Sequence, residues 1–236
     1  MEIPGAMLRT SHGWRSLLRP LPLLGAILCG ALGGPAGQGV APQPAAGEWQ
    51  SLFDGKSLRG WREVEFYGRG EVRVEKAAIV LGKGVMTGIV WTYPFPKSNY
   101  EVRLEAARLD GSDFFAGITF PVKDSYCSWI NGGWGGSVVG LSSLEGQDAA
   151  ENETNTYKDF EKGRWYALRL RVTDERIQAW IDNEEIVSVA LKGRDISLRP
   201  GEIELCVPFG IASWATTGAL RKLEYRVLPP ASDSKH

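Results

Sequence analysis

Glu145, Asp148, Glu151 and Glu153 crowd one polar stretch of the chain. Carboxylates are the acids and bases of glycosidic chemistry, where two of them flank the bond that breaks. Glu145, Asp148 and Glu151 are therefore the candidates for acid–base work. Just upstream, Trp129, Asn131 and Trp134 stand among glycines. An indole offers a flat apolar face to the C–H face of a sugar ring while its N–H finds a polar partner. A second set lies on strand-like segments. Glu101, Arg103 and Glu105 share one face of the first, Arg169 and Arg171 one face of another, and Trp180 follows on a third. If those segments join in one sheet, Arg103, Arg169 and Trp180 form a floor for a polar ligand.

A plainer reading stands beside each set. Polar loops are commonly acidic for solubility alone. Tryptophans set among glycines also pack loops. Charges along a strand face are usually a solvated surface with ion pairs. Asp110, Asp113, Asp124 and Asp148 would supply hard oxygens to a divalent cation such as calcium. They match no fixed calcium loop, and Asp110-Gly111 and Asp54-Gly55 read as turns, so calcium stays an open expectation and the sequence points to no other cofactor. Gly132-Gly133-Trp134-Gly135-Gly136 lacks the Lys and Ser/Thr that end a phosphate loop. Asn152-Glu153-Thr154 matches a glycosylation sequon, a short and weak signal.

One absence narrows the chemistry. The only histidines are His12 and His236. Ser-His-Asp and Cys-His catalysis and histidine-ligated zinc are excluded from the interior of the domain. Proton transfer falls to Asp, Glu, Lys, Tyr or Arg.

The elements that would carry these residues begin late. Arg9, Arg15 and Arg19 precede the apolar run Leu21 to Leu32, and small residues follow. That order reads as a secretory signal peptide over 1–37, with a Pro/Gly/Ala-rich linker over 38–46. Leu28 before Cys29 argues against a lipid anchor. The expected location is outside the cell, in the periplasm or at the envelope. The remaining stretch, 47–230, suits one domain with a sizeable core. Its balance is mildly acidic and it has no Lys/Arg run, so nucleic acid is not an expected partner. Nor does it contain an apolar stretch long enough to span a bilayer. Cys127 and Cys206 remain in it, fitting either one disulfide or two buried thiols. The oligomeric state is not legible.

Strand alternation runs through the domain. Tyr100, Val102, Leu104 and Ala106 alternate with Asn99, Glu101, Arg103 and Glu105; Tyr166, Leu168, Leu170 and Val172 alternate with Trp165, Arg169 and Arg171; Ile177, Ala179 and Ile181 alternate with Gln178, Trp180 and Asp182. A period of two with one apolar face marks half-buried antiparallel strands. Residues 164–190 read as a three-strand meander, and Leu220 to Leu228 as a closing strand. The segment 121–163 breaks the alternation and reads as long loops over a sandwich, where binding and chemistry usually sit.

The opening Trp49-Gln50-Ser51-Leu52-Phe53-Asp54-Gly55-Lys56-Ser57-Leu58-Arg59-Gly60-Trp61 supplies apolar anchors around an Asp-Gly turn. Together with Gly163-Arg164-Trp165-Tyr166, Ala179-Trp180-Ile181-Asp182 and Phe209-Gly210-Ile211-Ala212, it resembles the 3-keto-disaccharide hydrolase domain family across most of 47–228. The resemblance implies an all-β fold, a two-sheet antiparallel jelly-roll sandwich of the concanavalin A-like or laminin-G-like kind. It also implies cleavage of glycosides whose C3 hydroxyl has become a ketone. A C3 ketone acidifies the C2 proton, so a base can remove it and the C1 substituent leaves by elimination. Such a site needs a base, an enolate stabiliser and a sugar clamp, and no histidine. The family's Glu-x-Gln-x-Leu-Asp strand has no counterpart here. The equivalent region reads Ser128-Trp129-Ile130-Asn131-Gly132, so no family residue transfers to it. Two functions follow as expectations: a secreted hydrolase of 3-keto-glycosides, or a non-catalytic glycan-binding or adhesion module of the laminin-G or lectin type. In both, carbohydrate is the partner.

Overall fold

The computed structural model describes residues 46–229; the expected signal peptide and nearly all of the expected linker lie outside the described residues. Fifteen strands, numbered in chain order, form two antiparallel sheets. The first sheet runs β13 (Glu184–Ala190), β12 (Arg176–Ile181), β11 (Trp165–Val172), β6 (Tyr100–Gly111), β15 (Thr216–Val227), β4 (Ala78–Leu81), β3 (Val72–Glu75), with β1 (Gln50–Ser51) paired to β15. The second runs β10 (Thr156–Tyr157), β9 (Val138–Ser142), β8 (Ser125–Gly133), β7 (Gly117–Val122), β14 (Gly210–Trp214), β5 (Met86–Trp91), β2 (Trp61–Glu63). One short 3-10 turn spans Glu202–Cys206. This is the expected all-β jelly-roll sandwich.

One apolar cluster joins the sheets. Val102, Leu104, Leu168, Leu170, Ile177 and Ile181 of the first meet Ile89, Ile118, Phe120, Trp129, Leu141 and Ile211 of the second. Burying each such side chain contributes about 1.5–3 kcal/mol, which holds the two layers together.

The opening motif turns at Asp54-Gly55 as expected, and the two sides of the turn go to different sheets. Asp54 accepts the amides of Lys56 and Ser57, and these bonds, with the Ser57 hydroxyl, hold its carboxyl at about 2. The chain then crosses between layers: β1 joins the first sheet and β2 the second. The Trp61 indole donates back to the Leu52 carbonyl across that crossing at 2.7 Å.

Nor is 121–163 a set of long loops. It contains all of β8, β9 and β10, and the end of β7. The alternation fails there because the second sheet is covered on both sides. Every residue of β7 and β9 is buried, so the strands read as continuous apolar runs. The cover on the outer side includes Phe66, Met86, Ile203 and Cys206 in one cluster and Ile130, Val138 and Ala149 in another. Cys127 faces the central core while Cys206 packs in the outer cluster; both are free thiols.

Candidate functional site

The outer face of the second sheet holds a cavity of about 490 Å³, lined by Met86, Asp113, Phe114, Ser128, Ile130, Trp134, Ser142, Arg199, Pro200, Gly201, Glu202, Ile203 and Trp214. That volume is within the range of small-molecule sites. Met86, Ser128, Ile130 and Ser142 form the floor because side chains alternate along a strand. Trp129 points into the core, so its neighbours Ser128 and Ile130 point out.

The walls are built by loops. Trp134 caps the β8–β9 turn and is 43% exposed; Trp214 ends β14 and is 40% exposed. The glycines around Trp134 have a structural reason. The buried Arg108 guanidinium donates to the Gly132 and Gly136 carbonyls at 3.1 and 2.7 Å. A Cβ on Gly132 would lie 2.3 Å from the Arg108 Nη2, and its φ of +79° favours glycine besides. Asp113 completes the brace: Oδ1 accepts the Phe114 amide at 2.8 Å, and Oδ2 the Gly135 amide at 3.2 Å.

A polar row crosses the otherwise apolar floor. The Thr119 and Ser128 hydroxyls are 2.9 Å apart on β7 and β8. Ser128 is in register with Ser142 on β9. Ser142 donates to Asp148 Oδ1 at 3.1 Å, and Asp148 Oδ2 meets Arg199 Nη1 at 3.3 Å. The row therefore ends in a carboxylate–guanidinium pair at the cavity wall. On the other wall the Tyr67 amide donates to Glu202 Oε1 at 3.0 Å.

The residues expected from sequence divide three ways. Trp134 lines the cavity, and Asp148 reaches its edge through Ser142 and Arg199. Glu145 instead faces Arg194 and accepts the Asp195 amide, and Glu151 is exposed on a turn. Neither lines the cavity. Trp129 and Asn131 have no exposed surface. Asn131 donates to the Ala116 carbonyl at 2.9 Å, and an indole in the core has no face left for a sugar. Arg103, Arg169 and Trp180 do meet in one sheet, but it is the first, on the opposite side of the sandwich.

The acidic stretch folds over the second sheet along β9. Asn152 Nδ2 donates to the carbonyls of Leu141, Gln147 and Asp148, and the Thr154 hydroxyl accepts the Leu141 amide. Asn152 of the sequon is thus buried and committed to structure. Among the described residues no group of three His, Cys, Asp or Glu could hold a metal ion. Asp110 faces Lys83 and Lys162, and Asp124 faces Lys97. Sequence reading did not find Arg199 and Glu202 at the site. They lie in a charged, irregular segment with no motif, and only the fold brings them to the floor strands.

Fold and cavity together define a jelly-roll sandwich with a walled site on one outer face. The chain belongs to the 3-keto-alpha-glucoside-1,2-lyase-like domain family, which matches residues 48–207. No curated protein matches it. Solved structures share the fold at low identity. The Crh5 transglycosylase in complex with NAG is 14% identical at a TM-score of 0.54, over 80% of this chain and 88% of that one. The carbohydrate-binding module CBM66 from Bacillus subtilis is 14% identical at 0.50, over 71% and 95%. A Bacillus subtilis protein of unknown function with a galectin-like fold is 9% identical at 0.52, over 80% and 99%.

Proposed function

We propose that this domain binds a 3-keto-glycoside in the cavity and cleaves it by elimination. The observation that carries the reading is the convergence of two half-exposed indoles, a guanidinium and carboxylates on one walled floor, in a chain of this family. Trp134 and Trp214 stack on the ring. Asp113 or Glu202, the two lining carboxylates, takes the C2 proton. The electron pair moves to the C3 oxygen, where the Arg199 guanidinium meets the enolate. As the enolate collapses, the C1–O bond breaks and the leaving oxygen takes a proton. Water then adds across the new C1–C2 double bond and gives the free 3-keto sugar.

A second reading, binding without turnover, is favoured by one feature. Asp113 is engaged by two backbone amides, and Asp148 by Ser142 and Arg199. The test is to incubate the protein with 3-keto-disaccharides and their unoxidised parents and follow release of 3-keto-glucose by NMR. Release from keto sugars alone, lost in Asp113→Asn or Glu202→Gln with binding kept, supports cleavage. Saturable binding with no release in the wild type means a binding module.

A further inference from the structure

The outer face of the first sheet carries a layer of arginine, tryptophan and glutamate that the cavity does not use. Glu101 sits at its centre with a side chain of 0% exposure. It accepts from Arg171 Nε at 2.7 Å and from Arg226 Nε at 2.6 Å, one strand away on either side, with Arg169 Nη1 at 3.4 Å. One row along, Arg103 lies directly opposite Arg169, a like-charged cross-strand pair. The two are drawn apart: Arg103 stacks over Trp49 at 4.0 Å and bonds Glu224, while Arg169 stacks over Trp180 at 3.7 Å. Further on, Arg221 covers Trp165 at 4.0 Å and, with Lys222, holds Glu105.

Two properties of this layer point outward. First, it is locally cationic. Arg103, Arg169, Arg171, Arg221, Lys222 and Arg226 pair with Glu101, Glu105 and Glu224, and a fourth carboxylate, Glu185, bonds Gln178 at the margin, in a domain whose overall balance is acidic. No long basic run announces this, because the residues are spread over β6, β11 and β15, with Arg221 and Lys222 adjacent only at a bulge in β15. Second, Arg103, Arg171 and Arg221 spend Nε on their carboxylates. Among the described residues the Nη edges of these three have no hydrogen-bond partner. A guanidinium edge with two free N–H groups is the fork that accepts a carboxylate or sulfate bidentately.

We propose that this face is a binding surface for an anionic polysaccharide, a carboxylated or sulfated glycan laid across the strands. The stacked indoles fix each guanidinium in place, so little rotamer entropy remains to be lost on binding. Half-buried Trp49, Trp165 and Trp180 add apolar edges beside the charges, which suits sugar rings bearing acidic groups. A flat open sheet with no protruding helix or ribbon has nothing to enter a DNA groove. The site is independent of the cavity and of the reaction proposed there.

The experiment measures binding of the protein to polygalacturonate, dextran sulfate, neutral dextran and double-stranded DNA at low and at raised sodium chloride. Arg103→Gln/Arg221→Gln is the test variant, because it leaves Glu101 with Arg171 and Arg226 and Glu105 with Lys222. Trp134→Ala is the cavity control, and thermal unfolding checks that both fold. The expected result is salt-sensitive binding to polygalacturonate or dextran sulfate, whichever anion the face prefers. It is about fivefold or more weaker in the double variant, unchanged in Trp134→Ala, and absent for neutral dextran. No binding to either anionic glycan at low salt overturns the proposal. So does equal binding by the double variant, or DNA binding at least as tight as either glycan.

Discussion

The two outer faces of this sandwich solve opposite problems. The first sheet meets solvent directly and covers itself with paired side chains: Glu101 under three arginines, and indoles under guanidinium groups. The second sheet is roofed by the acidic stretch and by the segment around Glu202, with the cavity between roof and floor. Charge on an open strand face neither encloses a ligand nor excludes water. Chemistry on a sugar needs both, which is why the roofed face is the candidate site.

Four perturbations break or sharpen that contrast. The largest effect is expected from Arg108→Met. Arg108 braces the Trp134 turn from beneath, and its loss leaves the Gly132 and Gly136 carbonyls without their donor. Buried orphaned acceptors cost about 1–3 kcal/mol each, so urea unfolding should show a loss of about 3 kcal/mol, with sugar binding in the cavity lost as well. Next is Glu101→Gln. Removing the shared charge and one of its two accepting oxygens should cost about 2 kcal/mol, less than a fully buried pair because its arginines are partly exposed. Ligand affinity in the cavity should not change; a loss there would show that the faces are coupled.

Acid gives a smaller effect. Desolvation pushes the Glu105 carboxyl up, but hydrogen bonds from Lys222 and Arg221 override it and hold it below its usual 4.5. A carboxyl lowered by folding contributes stability that is present above about pH 4.5 and is lost as pH falls through the folded value. The melting temperature should be flat above pH 5 and decline below it, and Glu105→Gln should soften that decline. The smallest effect concerns the thiols. Burial pushes both Cys127 and Cys206 up to about 12. With Cys29 replaced by Ser, a thiol reagent at pH 8 should find no reactive group until denaturant is added. Rapid reaction of one would show that the segment carrying it opens in the native protein.

The same contrast explains what the sequence could reveal. Strands of the first sheet, solvated on one side, show clean alternation, so 100–106, 164–190 and the closing strand were legible, as was the shared face of Arg103, Arg169 and Trp180. Strands β7 to β9, buried on both sides, lost their period of two and read as loops. Trp129 and Trp134 carry the same local signal of tryptophan near glycine. One enters the core and the other the cavity because they differ in strand phase and in the turn that Arg108 braces. Glu145, Asp148 and Glu151 were equally acidic in sequence, yet only Asp148 meets a floor hydroxyl and a wall arginine. Arg199 and Glu202 reach the site through tertiary placement that no local pattern records.

The measurement that tests the central claim most directly is an NMR titration of the indole N–H signals with a 3-keto-glucoside. The account predicts that the Trp134 and Trp214 signals shift saturably while those of Trp49, Trp165 and Trp180 stay fixed. Shifts confined to the three indoles of the first sheet, with Trp134 and Trp214 unmoved, would contradict it.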